Sequence, residues 1–307
     1  MNTTDAWLTV LAAVFGGALR VSTPFLFVSL GECITEKSGR VNLGLEGTLV
    51  FGAMIGYAAS YHTGSPWWGV LAAGGAGVVF GLLHGWICSL PRVNDIAIGI
   101  ALMILGLGLA FFFGKAYVQP TAPRLPALDL GGFVSNPALR AALQINVLLP
   151  IGAVCSVLIH LGMRNARWGL VLRTVGDSSD AARALGFNVN AVRVVATAVG
   201  GFFAGVGGSY LSLYYPGSWN EALSSGQGVM AVALVIFARW NPIGCFIAAL
   251  VFGGAGSIGP ALQAVGVQSG YQLFNAAPYV LTLAIMLWTS SSERTLAGAP
   301  GELSLTR

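Results

Sequence analysis

Charge is what this chain has least of. Asp, Glu, Lys and Arg together make up 8% of its 307 residues, against about 25% in soluble domains, so it cannot cover a water-facing surface. Lysine is nearly absent, occurring as Lys37 and Lys115 alone. A P-loop requires a glycine-framed loop ending in Gly-Lys-Ser/Thr, so that backbone amides and the lysine hold the phosphates. Lys37 follows Glu36, and Lys115 follows Gly114 but has Leu109 and Ala116 at the other motif positions. ATP is therefore hydrolysed by another chain or not used at all. Cysteine is sparse too: Cys33, Cys88, Cys155 and Cys245 lie far apart with no C-x-x-C spacing, which points to small apolar packing residues and not to zinc or disulfides. His62, His84 and His160 have no carboxylate at helical spacing, which argues against a metal site or proton relay. No nucleophile stands with a base as covalent catalysis would need. Residues 1–5 contain no Lys or Arg, and the first cation is Arg20. A secretory signal needs a positive leading segment, so the first apolar stretch is read as part of the mature protein.

What is abundant is apolar. Such residues make up 55% of the chain and the mean hydropathy is +0.77. The net charge of +4 does not signal nucleic acid, because the cations are scattered singly along short loops. Crossing a bilayer takes about 20 mostly apolar residues. Runs that cross, or partly cross, are Ala6–Leu30, Leu43–Tyr61, Trp68–Leu90, Ile96–Gly114, Ile145–Gly162, Val192–Tyr214, Val229–Phe237, Ile243–Ile258 and Ala277–Trp288. The first contains Arg20 and Pro24, which suggests a surface helix followed by a span. Val229–Phe237 is short, with a possible start near Ser224, and Ile243–Ile258 reads as a partial span. The expectation is an all-α polytopic transmembrane helix bundle of about 8–10 spans, nine by this count, forming one membrane domain over residues 1–307.

Lys and Arg accumulate in cytoplasmic loops. With the N-terminus outside and nine crossings, eleven cations fall inside: Lys37, Arg40, Arg92, Arg164, Arg167, Arg173, Arg183, Arg193, Arg239, Arg294 and Arg307. Lys115, Arg124 and Arg140 fall outside. Residues 115–144, with four prolines, are expected to form an irregular outer loop or short surface helices. Residues 163–191 open with basic residues and read as a cytoplasmic segment. Asp177, Ser178 or Ser179 is placed to cap a short helix ending at Gly186.

Glycines spaced four apart at Gly52/Gly56, Gly77/Gly81/Gly85 and Gly201/Gly205 place small residues on one helix face and predict close helix packing. The densest polar cluster is Gly31-Glu-Cys-Ile-Thr-Glu-Lys-Ser-Gly-Arg-Val-Asn-Leu-Gly-Leu-Glu-Gly47. Three roles fit Glu46: capping its own helix, where the dipole favours an anion; pairing with an arginine such as Arg40; or lining a water-filled pathway at a broken helix. Asn94 and Asp95 pose the same question at the start of the fourth run.

That cluster resembles the segment G-E-x-x-x-E-R/K-S/A-G-x-x-N-L/I-G-x-E-G of permeases from nucleoside-type ABC importers, within the branched-chain amino acid and ribose permease superfamily. Leu172-Arg-Thr-Val-Gly-Asp-Ser-Ser-Asp-Ala-Ala-Arg-Ala-Leu-Gly-Phe-Asn-Val189 is similar to the same family's R-A-V-G-E-N-P loop. Ser225-Gly-Gln-Gly-Val-Met-Ala through Arg239-Trp-Asn-Pro242 is similar to its G-R-W-x-P segment. Matches continue through Gly259–Gln263 and Pro278–Thr282, in family order. The chain departs from the pattern at Met103, where members often carry Asn, and at Ala238, where they carry Gly.

The resemblance implies an inner-membrane permease that binds no cofactor itself. It implies a second related permease, an extracytoplasmic substrate-binding protein, and a cytoplasmic ATPase holding ATP and Mg. The segment 163–191 becomes the coupling loop, with Gly176, Asp177, Asp180, Arg183 and Gly186 docking on the ATPase. Asn42, Glu46 and Asn94 become candidate pathway residues. Nucleosides or nucleobase-like solutes are the expected cargo. A sugar or branched-chain amino acid permease, or an ATP-independent secondary transporter, are the competing readings.

The charge bias generates a direct test. In a cysteine-free background Thr3→Cys should react with an impermeant maleimide from outside the cell and Leu305→Cys should not; the reverse pattern overturns the orientation.

Overall fold

The computed structural model describes residues 3–132, 136–264, 276–289 and 298–305. Four helices come first: α1 (Thr3–Lys37), α2 (Leu45–Thr63), α3 (Pro66–Ile87) and α4 (Asp95–Gly114). Strand β1 (Ala127–Asp129), α5 (Pro137–Ala142) and β2 (Gln144–Asn146) follow, then α6 (Leu148–Asn165), α7 (Arg167–Asp177) and α8 (Ser179–Ala184). Helices α9 (Val189–Leu213), α10 (Gln227–Phe237), α11 (Pro242–Ala264), α12 (Ala277–Thr289) and α13 (Gly301–Leu305) complete the order. The all-α bundle read from the apolar runs is what folds.

Among the described residues, six helices are long and apolar enough to cross a membrane: Val10–Lys37, Pro66–Ile87, Asp95–Tyr117, Leu148–Asn165, Val189–Leu213 and Pro242–Gln263. The nine-run reading is refined in three places. The first run is one continuous helix through Pro24, not a surface helix followed by a span. Pro24 has no N–H to give, and beside it the Ser22 and Thr23 hydroxyls both donate to the Leu19 carbonyl, which helps a helix tolerate the break. The run at Ile243–Ile258 extends to a helix of 23 residues, a full span and not a partial one. Helix α10 has 11 residues, about 16 Å at 1.5 Å per residue, half of a hydrocarbon core about 30 Å thick.

Helix α2 lies at the centre. It carries Glu46, Thr48 and Ser60, and most of its residues are buried against protein. Its neighbours approach closely because glycine faces glycine. A Cβ built on Gly77 would lie 1.9 Å from the Gly201 carbonyl oxygen, and one on Gly201 2.1 Å from that of Gly77. Gly81 meets the Thr197 carbonyl at 2.1 Å, and Gly208 of α9 meets the Leu49 carbonyl of α2 at 2.0 Å. The spacing seen at Gly77/Gly81 and Gly201/Gly205 is therefore a backbone-to-backbone crossing of α3 and α9.

The segment 115–144 is irregular as expected, but it also forms a hairpin-like sheet. β1 pairs antiparallel with β2, Leu128 opposite Ile145, and Arg140 bridges to Asp129 at 3.0 Å. Arg294 and Arg307, part of the charge count, lie outside the described residues.

Gly77→Ala should force the α3–α9 backbones apart and destabilise the bundle by about 1–3 kcal/mol. Gly75 has nothing within 4 Å of a built Cβ, so Gly75→Ala should leave the thermal midpoint in detergent unchanged or raised. Equal midpoints for the two variants would refute the crossing as a packing constraint.

Candidate transport site and coupling surface

Two helices, α2 and α10, begin inside the bundle. Lys37 ends α1, and residues 38–44 then run without helix, all of them buried or half-buried, before α2 starts at Leu45. Just past the end of α10, the Trp240 indole N–H donates to Glu36 in the last turn of α1, so the 11 residues of α10, about 16 Å long, put its N-terminus part-way along the bundle. The first N–H groups of a helix have no internal partner. Gly226, the residue before α10, sits at φ +83° and offers no side chain to cap them. Glu46 does so from α2. Its Oε1 accepts from the Gly226 N–H at 3.1 Å and from the Ser224 hydroxyl; its Oε2 accepts from the Gly228 N–H at 2.6 Å. Glu46 is 6% exposed. Gly228 lets this happen, since a Cβ there would lie 2.6 Å from the Glu46 Cα.

The reading of Glu46 as the cap of its own helix is not met: its carboxylate serves the start of α10, 180 residues on, instead. The pairing with Arg40 is not formed, because Arg40 bridges to Asp95 and donates to the Cys88 carbonyl. Asn42 stands beside the clamp. Its N–H donates to Glu32 Oε1 at 2.8 Å, and its Oδ1 accepts from the Gly44 N–H at 2.9 Å. Glu32 Oε2, Gln227 Oε1 and the Trp219 indole N–H are buried with no hydrogen-bond partner among the described residues. Asn94 is elsewhere: it is exposed and caps α4, accepting from Ile96 and Ala97 N–H at 2.9 and 3.1 Å. The structure groups Asn42 with Glu46 and leaves Asn94 apart.

The segment 163–191 folds into α7 and α8. Ser178, among the three residues foreseen as caps, is the one used, accepting from the Ala181 N–H at 3.2 Å. The turn after α8 has Gly186 at φ +84°. Gly176 is pressed on the end of α1, where a Cβ would lie 2.1 Å from the Lys37 carbonyl oxygen. Asp180 and Arg183 bridge at 2.9 Å with side chains 93% and 58% exposed. Gly176 and Gly186 shape the backbone of the module, while Asp180 and Arg183 face outward; the Asp177 carbonyl packs at Gly301.

Sequence reasoning missed the fastening of this module. Glu302 of α13 accepts from the Ser179 N–H at 2.7 Å and from the Arg193 guanidinium at 3.1 Å, and Arg193 Nε also donates to the Ser38 carbonyl. Burial pushes the Glu302 carboxyl up, but the Ser179 and Arg193 contacts outweigh it and hold the group below its ordinary value. Lys37 Nζ donates to the Gly298 carbonyl at 2.7 Å. The available signal was Arg193, a lone cation opening an apolar helix that needs a partner. Nothing in the sequence marks Glu302 as that partner.

Membrane-length helices packed around two interrupted ones define a multi-pass membrane protein. Residues 14–290 match the family described as branched-chain amino acid transport system / permease component, and the chain belongs to that family. Among similar proteins is one from Haloferax volcanii provisionally named as a glucose ABC transporter permease protein, 30% identical over 80% of this chain and 76% of the relative. A guanosine ABC transporter permease protein of Bacillus subtilis is 29% identical over 89% of this chain and 91% of the relative. A nucleoside ABC transporter permease protein of Lactococcus lactis is 29% identical over 91% and 92%.

Glu46→Gln replaces one acceptor oxygen by an amide donor facing N–H groups. It should cost about 2 kcal/mol, the value of hydrogen bonds to a charged group, whereas Asn94→Ala should cost about 1 kcal/mol as an ordinary cap loss. Thermal unfolding of both in one detergent checks this, and a wild-type midpoint for Glu46→Gln would remove the clamp.

Proposed function

We propose that this chain is the membrane-spanning permease subunit of an ATP-driven ABC importer in the cytoplasmic membrane, N-terminus outside and C-terminus inside, moving nucleosides or nucleobase-like solutes inward. The observation that carries the reading is the α7–α8 module. It is fastened to the ends of α1 and α9 yet presents Asp180 and Arg183 outward, the form needed to pass a push from an ATPase to membrane helices. A second permease, a cytoplasmic ATPase with ATP and Mg, and an extracytoplasmic binding protein are the partners of this reading. Guanosine and nucleoside relatives spanning about nine-tenths of the chain support the cargo. In the same reading Asn42 and Glu46 shape the pathway wall at the helix interruptions, and Asn94 borders it at the start of α4.

The Haloferax relative favours a sugar as the second cargo reading. Uptake of labelled guanosine and labelled glucose, in cells with and without the gene, separates the two. Guanosine uptake that depends on the gene and survives an uncoupler, but not ATP depletion, is the expected outcome. The double variant Asp180→Ala/Arg183→Ala should lower that uptake severalfold at normal membrane abundance. Undiminished uptake would return α7–α8 to a plain connector, and uptake abolished by the uncoupler alone would favour a secondary transporter.

A further inference from the structure

Where α1 and α6 stop and α7 begins, the bundle has a cavity of about 280 Å³ lined by Lys37, His160, Arg164, Arg173, Arg239 and Asn241, with Met163, Trp240 and Pro242 as its apolar wall. The basic residues come from four separate places: the end of α1, the last turns of α6, the middle of α7, and the turn joining α10 to α11. No carboxylate lines the cavity among the described residues. Glu36, next to Lys37 in sequence, is engaged by the Trp240 indole N–H. Asp177 attracts Lys37 from one turn further along α7 but does not reach the lining. The four ion pairs among the described residues involve none of these cations. Lys37 and Arg173 spend one donor each on the carbonyls of Gly298 and Gly169, and among the described residues neither is in salt-bridge contact with a carboxylate. Arg239 is held in the left-handed region, φ +52°, an uncommon conformation for a residue other than glycine.

A general preference for cations near one membrane face accounts for basic loops. It does not account for a lysine, three arginines and a histidine from four separate places converging on one concavity. Like charges repel, and more strongly at the low-dielectric edge of a bilayer than in bulk water, so such a cluster is stable with an anion among them. Arginines supply the forked donors that fit a phosphate. Basic pockets between membrane helices near the lipid headgroups hold anionic headgroups.

We propose that this cavity is a binding site for a phosphate-bearing anion, taken as the headgroup of an anionic phospholipid or as free phosphate, that ties α1, α6 and α7 to the α10–α11 turn.

The full-length chain, purified in a nonionic detergent, is titrated with phosphatidylglycerol, phosphatidylcholine and inorganic phosphate, and bound ligand is counted by native mass spectrometry alongside thermal midpoints. Phosphatidylglycerol should be retained over phosphatidylcholine, and each of Arg164→Gln and Arg239→Gln should weaken it about fivefold, the contribution of one basic residue near an anionic lipid surface. Arg167→Gln, exposed like Arg164 and Arg239 but outside the lining, should change nothing. If inorganic phosphate raises the midpoint and phosphatidylglycerol does not, the anion is the free one. Equal retention of the two lipids together with no response to phosphate overturns the proposal, and those wild-type arms decide it even if a variant fails to fold. Equal weakening by Arg167→Gln would also overturn it, by showing a diffuse surface charge and not a site.

Discussion

Inside a bilayer every backbone N–H and C=O needs a partner within the protein, and an interrupted helix breaks that condition at its exposed end. This chain has two such ends deep in the bundle, at α2 and α10, and one carboxylate answers the second of them. Glu46 reaches from the first turn of α2 to three donors at the start of α10. Two half-buried chain breaks thereby become a single rigid joint. The glycine at Gly228 is the geometric condition for that reach, and the tail of polar contacts through Asn42 to Glu32 extends it toward α1.

The remaining helices are arranged so that this joint can be central. With α2 enclosed by α3, α4 and α9, packing forces have to act over short distances, because the membrane offers no hydrophobic drive for one helix to leave lipid for another. Glycine-lined crossings supply contact area instead. Gly77 and Gly201 meet with each backbone oxygen where the other's Cβ would stand. Helix α9 therefore touches α2, α3 and α1 along one length, and links the buried joint to the α7–α8 surface at its own N-terminal end.

How legible this was in the sequence depends on the range of the interaction. Apolar runs and glycine spacings are local patterns, and they foretold the bundle and the α3–α9 faces. The cap at Ser178 and the turn at Gly186 are local too. Glu46 was visible as an unusual carboxylate near a helix start, but its partners lie about 180 residues away at Ser224–Gly228, beyond the reach of any spacing rule. The reading of Arg40 as its partner failed for the same reason: Asp95 competes for Arg40 across 55 residues. Asn94 was legible as a polar group at a run boundary, and the fold uses it as the exposed cap of α4.

The clasp formed by α13 bears on how the protein is made. Lys37 finds the carbonyl of Gly298 261 positions later in the chain, and Arg193 finds Glu302. The ends of α1 and α9 have left the ribosome long before their last partners are synthesised. Membrane insertion and completion of the α7–α8 face are therefore separate events in time. A nascent chain whose helices through α11 are already threaded can still lack this fastening, and the arrival of Gly298 and Glu302 is a closing step of assembly.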